Sequence, residues 1–288
     1  MPIERKTFVL GVGAQKCGTS WLHHQLNKQP EVEMGFCKEY RALRDTNWLK
    51  QLHKRLNKEA RQPVLTKEQF LGLDDPSKHD LILKHESYYY RYFQWLLEAN
   101  TFSHATGDIS PHYSSLSSRT FRRARHHLNA KGFQVKVVFL MRDPVERVWS
   151  QLRMLRRNRK MTSVSDYPSE ETALAMHYRH PRFSSKTQYH ITLNNLFKAF
   201  PREEIYIDFY ERLFTPDGLS RVSFFLNLNL KEANIDKHIN ASEKTAPICS
   251  ALQRQIALQY RDVYVELHDQ FGDTLLDLWP NMHWVIKS

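Results

Sequence analysis

The sequence predicts an α/β fold: a single domain with a central, mainly parallel sheet flanked by helices and a phosphate-binding loop after the first strand. Three observations carry this. β-rich apolar runs of strand length recur at Thr7–Val12, Val135–Met141 and Ile205–Phe209, and the first two are uninterrupted, as strands buried on both faces should be. Each run is followed by a helical pattern, and strands alternating with helices indicate parallel pairing. The 288 residues contain only 9 Gly, with no Gly/Ser-rich linker and no internal repeat. One domain spanning 1–288 is therefore the economical reading.

Each element has a local reason. Thr7–Val12 runs into the turn Gly13-Ala-Gln-Lys-Cys-Gly18 and then a helical pattern, Thr19–Lys28, that stops before Pro30. Tyr88–Ala99 is an amphipathic helix whose aromatic run (YYYRYFQW) is a core face or, alternatively, the lining of a cleft. A weaker strand, Ala105–Ile109, precedes Ser110-Pro111. Val135–Met141 leads into a helix over Pro144–Arg157, with proline in the first turn, where its missing N–H costs nothing. Helices follow Ile205–Phe209 to about Leu228, and Ala251–Gln270 is a further amphipathic helix. In such sheets ligands bind beyond the carboxyl ends of the strands.

Composition narrows the function classes. Lys plus Arg is 42 against 31 Asp plus Glu, a formal charge of +11. The 16 Phe, 13 Tyr and 6 Trp exclude general disorder. Cys17, Cys37 and Cys249 are odd in number and form no CxxC pair, which excludes a disulfide framework and fits a reducing cytoplasm. No stretch approaches the roughly 18 apolar residues of a membrane span. The apolar run Phe8–Val12 is too short for a signal peptide. The basic residues are clumped at Arg119–Arg125 and Arg153–Lys160, within helical patterns that predict solvated faces with a few anion contacts. No nucleic-acid-binding signature accompanies them, so nucleic-acid binding is not the expected main function; the charge could serve an anionic surface or a small anionic substrate.

The segment Gly13 to Ser20 (GAQKCGTS) follows a strand and opens a helix, where backbone N–H groups and the helix dipole converge on an anion. Its spacing is close to GxxxxGK[ST], but Thr19 stands where the lysine should be, and Lys16 lies two residues before Gly18. The strand ending at Met141 offers Arg142-Asp143 rather than a carboxylate set up for magnesium. A nucleoside triphosphatase is therefore hard to assemble; a nucleotide kinase or nucleotidase of the same loop type, which would need magnesium, is the second reading. A non-catalytic fold-mate that binds a nucleotide or polyanion is the third reading.

In combination, the motifs resemble those of the sulfotransferases that use 3′-phosphoadenosine-5′-phosphosulfate. Lys16-Cys-Gly-Thr-Ser-Trp21 looks like that family's 5′-phosphosulfate loop, and Arg142-Asp-Pro-Val-Glu-Arg147-Val-Trp-Ser150 matches its R-x-P-x-x-R-x-x-S element. Lys38-Glu39-Tyr40 is similar to the Lys-Glu element of heparan-sulfate-type and many bacterial members, and Gly107–Tyr113 (GDISPHY) to G-E-K-[ST]-P-x-Y. Tyr206–Phe225 has the look of the family's strand and following helix. The resemblance covers most of residues 7–230, the implied donor-binding core, with a helical part over 231–288.

The resemblance implies roles. Lys16 would stabilise the charge that develops on the leaving nucleotide. Gln15, Cys17, Gly18, Thr19 and Ser20 would line the 5′-phosphate; Ser20 could instead serve only the helix start. Arg142 and Ser150 would take the 3′-phosphate, although Arg142 could instead pair with Asp143 or Glu146. Trp21 would stack on adenine or be an ordinary core residue, with Tyr189 or Phe183 closing the other face. Glu39 is the expected general base for a sugar, phenol or other alcohol; His112 is its rival, and a surface ion pair with Lys38 or Arg41 is the bland alternative. Lys38, Glu39 and His112 would meet the acceptor.

Two departures bear on subclass. Ile109 stands where heparan-sulfate-type enzymes have lysine, and the region Asn240–Pro247 has Cys249 alone in place of their paired cysteines. Both favour a bacterial-style soluble enzyme, with Ser242 and Lys244 as possible contacts to the 3′-phosphate end. Asn47–Lys84 and the helices after Met161 would frame the acceptor pocket.

Overall fold

The computed structural model describes residues 6–45, 64–159, 161–230, 244 and 246–286. Its principal elements are β1 (Lys6–Gly13), α1 (Thr19–Asn27), β2 (Val32–Glu33), α2 (Glu86–Ala99), β3 (Ala105–Ile109), α3 (Ser118–Ala130), β4 (Phe133–Met141), α4 (Pro144–Arg157), β5 (Ile205–Phe209), α5 (Pro216–Leu226), α6 (Ser250–Gln259) and α7 (Arg261–Phe271). The five strands form one sheet in the order β2-β3-β1-β4-β5, so the predicted α/β class and strand–helix alternation are observed. Contacts sort the chain into two compact units: residues up to 12, 23–138 and 195–206 in the first, and 13–22, 139–194 and 207–288 in the second.

In the first unit β1 and β3 pair in parallel, with Thr7 opposite Ala105 and Gly11 opposite Ile109. β2 joins the other side of β3, Val32 opposite Ala105. Glycine is required at 107: a Cβ there would lie 2.3 Å from the Val9 carbonyl oxygen, which the backbone cannot yield. Gly107→Ala should therefore cost about 2–3 kcal/mol of stability, read as a lowered denaturant midpoint at unchanged slope. The aromatic run of α2 is a core face. Tyr88, Tyr89, Tyr90, Tyr92 and Phe93 are all buried, and Phe93 lies 4.9 Å, edge-on, from Phe8 and from Tyr40.

In the second unit α4 begins at Asp143, whose carboxylate accepts the N–H groups of Val145 and Glu146, with Pro144 supplying the first turn. The same buried carboxylate accepts Tyr264 Oη–H at 2.8 Å and both the backbone N–H and Nδ2 of Asn281 at 3.1 Å. The strand-to-helix corner is thus pinned to the C-terminal helical segment. Trp279, fully buried, sits edge-on to Phe209 at 5.5 Å and near Tyr264 and Tyr189.

The continuous helix expected over Ala251–Gln270 is broken: α6 ends at Gln259 and α7 starts at Arg261. No glycine or proline marks the break. At the break Tyr260, buried, has φ −106° and ψ 25°, outside helical geometry, and donates its hydroxyl to the Tyr178 carbonyl at 2.9 Å.

Candidate functional site

The loop between β1 and α1 and the start of α4 both lie in the second unit. At Gly18 the backbone turns at φ +91°, and a side chain there would meet Leu213 at 2.6 Å. Lys16 also holds a positive φ, 70°, an uncommon conformation for a residue with a Cβ. Burial pushes its ammonium down to about 8, and Arg157, Arg142 and Arg153 push the same way. A buried lysine whose neighbouring charges are three arginines sits in a field that favours an anion.

Arg142 lies at the carboxyl end of β4. Its guanidinium stacks over the Tyr210 ring at 4.1 Å and reaches Glu146 at 3.0 Å, the ion pair foreseen as its alternative. Its buried Nε has no hydrogen-bond partner among the described residues. Beside it lies a cavity of about 470 Å³ lined by Arg142, Glu146, Tyr210, Glu211, Phe214 and Thr215, among others. Glu211 is pushed up to about 7 by burial, while its carboxyl accepts Asp143 N–H at 3.0 Å and Trp279 Nε1–H at 3.1 Å.

The remaining loop-side residues divide. Thr19 and Ser150 are buried at the starts of α1 and within α4, and the Oε1 of Gln15 is a buried acceptor with no partner among the described residues. Trp21 is 1% exposed and lies edge-on to Phe214 at 5.5 Å, a core position in this conformation. Cys17 is buried, its thiol pushed up to about 12 by desolvation, and its N–H already points to the Ala14 carbonyl at 3.3 Å. Tyr189, expected to close over a base, is instead fully buried: its hydroxyl donates to the Arg142 carbonyl at 3.0 Å and lies 3.7 Å from Cys17 Sγ. It braces the loop and the strand end from behind. Phe183 is also buried, its carbonyl taken by Arg147. Lys244 pairs with Glu146 at 2.9 Å, and Ser242 lies outside the described residues, as do residues 46–63 of the expected acceptor frame.

A second cluster belongs to the first unit. The segment Lys38–Leu43 is tied to the end of β3 mainly through side-chain acceptors. Ile109 N–H donates to Lys38 O, Tyr40 N–H to Asp108, Arg41 N–H to Ser110 Oγ, and Ala42 N–H to Tyr113 Oη, at 3.0 to 3.2 Å. This presents Glu39 between Lys38 at 3.2 Å and Arg41 at 2.5 Å, with His112 Nδ1 4.0 Å away. Lys38, Glu39 and His112 are therefore brought together. Burial opposes ionisation of Glu39, but Lys38 and Arg41 outweigh it and hold the carboxyl below its ordinary range. Burial, then the Lys38 charge, push His23 down to about 4, so it is neutral near pH 7.

Four contributors escaped the sequence reading. Tyr210 and Phe214 could have been found, because Tyr210 directly follows β5 at a strand's carboxyl end, where ligands gather. Arg153 was assigned to a solvated helix face but is only 5% exposed. Asp108 was seen as part of a motif, not as the acceptor that holds the Glu39 segment.

The family described as the sulfotransferase domain matches residues 6–247. A crystal structure of a sulfotransferase from Alicyclobacillus acidocaldarius is similar over 93% of this chain and 96% of its own, at 18% identity and a TM-score of 0.60. A mouse sulfotransferase complexed with PAP aligns over 93% of this chain and 85% of its own, at 12% identity and a TM-score of 0.47. No curated protein sequence matches this chain.

Proposed function

Because the chain belongs to the sulfotransferase domain family, and so to the transferases of sulfuryl groups, we propose that its donor is 3′-phosphoadenosine-5′-phosphosulfate and its acceptor a hydroxyl of a saccharide, phenol or other alcohol. One observation carries the donor assignment: Lys16, its ammonium held down first by burial and then by the charges of Arg157, Arg142 and Arg153, in the same unit as an Arg142 whose buried Nε has no hydrogen-bond partner among the described residues. That is a site short of negative charge, and a nucleotide with a 5′-phosphosulfate and a 3′-phosphate supplies it.

When bound, the donor supplies the sulfuryl group: the acceptor oxygen forms an S–O bond, the bridging S–O bond to the 5′-phosphate breaks, and the hydroxyl proton leaves. The loop from Gln15 to Ser20 binds the 5′ end. Arg142 and Ser150 take the 3′-phosphate, with Arg142 exchanging Glu146 for phosphate oxygens. Lys16 meets the charge that grows on the leaving oxygen, where a fixed cation lowers the barrier most. Glu39 takes the acceptor proton; its ionised state near pH 7 suits that role, and Lys38 and His112 orient the acceptor. Lys16 and the arginines provide the positive charge that magnesium gives a kinase, so the reaction is proposed to be metal-independent, in the cytoplasm.

Calorimetry without magnesium tests the donor. Wild type should bind 3′-phosphoadenosine-5′-phosphate more tightly than adenosine 5′-phosphate, and Arg142→Ala should weaken the bisphosphate at least tenfold, about 1.4 kcal/mol, while sparing the monophosphate. Tighter binding of ATP with magnesium would overturn the reading in favour of a kinase. With the donor established, Glu39→Gln is expected to remove about 10²–10⁴-fold of turnover in an acceptor screen.

A further inference from the structure

We propose that Arg153 is a third cationic ligand for the donor's phosphate oxygens, beside Lys16 and Arg142; this rests on the donor reading above. Arg153 lies three residues after Ser150 in α4, and residues three apart share a helix face. It is 5% exposed, and its guanidinium stacks over the Trp149 ring at 4.8 Å. Its Nε and Nη1 are buried and have no hydrogen-bond partner among the described residues.

The carboxylates whose charges reach Arg153 are Glu170 and Glu146, and both are committed elsewhere. Glu170 accepts Trp149 Nε1–H at 2.7 Å; Glu146 accepts Arg142 at 3.0 Å and Lys244 at 2.9 Å. A desolvated guanidinium with open donors is costly unless an anion completes it. The Trp149 ring 4.8 Å from Cζ adds a cation–π contact that holds the guanidinium in place. Arg156, next but two along the helix, shows the contrast: its Nη1 is already filled by the carbonyls of Val164 and Tyr167, both at 3.0 Å. Arg153 keeps both Nε and Nη1 open among the described residues, and the forked oxygens of a phosphate fit them.

The test is calorimetry on Arg153→Met and Arg153→Lys with 3′-phosphoadenosine-5′-phosphate, adenosine 3′-phosphate and adenosine 5′-phosphate at one salt concentration. Arg153→Met should weaken the bisphosphate at least tenfold, with Arg153→Lys intermediate because it keeps the charge and loses the fork. The monophosphate whose affinity falls with it identifies the phosphate contacted. Unliganded Arg153→Met should unfold at the wild-type temperature or above, since it removes an unpaired buried charge; a structural brace would show the opposite. Bisphosphate affinity within twofold of wild type in Arg153→Met, while Arg142→Ala still weakens it, would overturn this inference and leave the donor site standing. Failure of wild type to bind the bisphosphate would overturn both.

Discussion

Lys16→Ala should lower turnover by about 10²–10³-fold, with a much smaller change in the donor's KM, because a fixed cation facing developing charge acts mainly in the transition state. Lys16→Arg keeps the charge and should recover part of the loss. The pH dependence is specific to this environment. Burial and three arginines bring the Lys16 ammonium down to about 8 in the free protein, so it loses its proton as pH rises through that value. The kcat/KM for the donor should therefore fall on the alkaline side of about pH 8 in wild type. In Lys16→Arg that limb should disappear, since guanidinium stays protonated. A wild-type profile flat to pH 10 would refute the assigned role.

Asp108→Ala should destabilise the fold by about 3 kcal/mol or more, because it strands several buried donors at once. The fully buried Asp108 carboxylate accepts Tyr40 N–H at 3.2 Å, Ser110 Oγ–H at 2.6 Å, Tyr113 Oη–H at 2.6 Å and Tyr89 Oη–H at 3.1 Å. Burial pushes its pKa up from 3.8 to about 6 despite those bonds. An acid whose folded pKa is raised holds its proton more tightly when folded. Its stabilising contribution is thus complete below about pH 4 and lost as pH rises through about 6, a change of about 3 kcal/mol at most. Chemical denaturation between pH 4 and 7 should show wild type losing stability relative to Asp108→Asn. Parallel curves would show that Asp108 does not titrate in that window. The same substitution loosens the Lys38–Arg41 segment, so Asp108→Asn should also slow turnover through the position of Glu39.

How much of this was legible beforehand depended on the range of the interaction. The strands at Ala105–Ile109 and Ile205–Phe209 and the helix at Pro144–Arg157 fall where their residues put them. The second of these strands shows as a β-rich run, IYIDF, and the helix start as Asp143-Pro144, both local signals; ATGDI at 105–109 is a weaker one. The two basic runs were legible as helical but not in their environments. In the first, Arg123 pairs with Glu86 at 3.1 Å and Arg125 with Glu204 at 2.9 Å, partners 37 and 79 residues away. In the second, Arg153 is buried one turn after Ser150. A helical pattern tells which residues share a face; it does not tell what covers that face.

The sequence by itself determined the α/β alternation, the loop between β1 and α1, and the helix start after Arg142, because spacing along one chain specifies a strand, a turn and a helix N-terminus. Only the tertiary structure decided that Tyr189 stands behind the loop and that Tyr210 stacks on Arg142. It alone decided that Asp108 ties down the Glu39 segment and that Arg153 keeps buried donors open. Those four outcomes depend on desolvation and on partners brought from distant elements, and desolvation is a property of packing that no local spacing encodes.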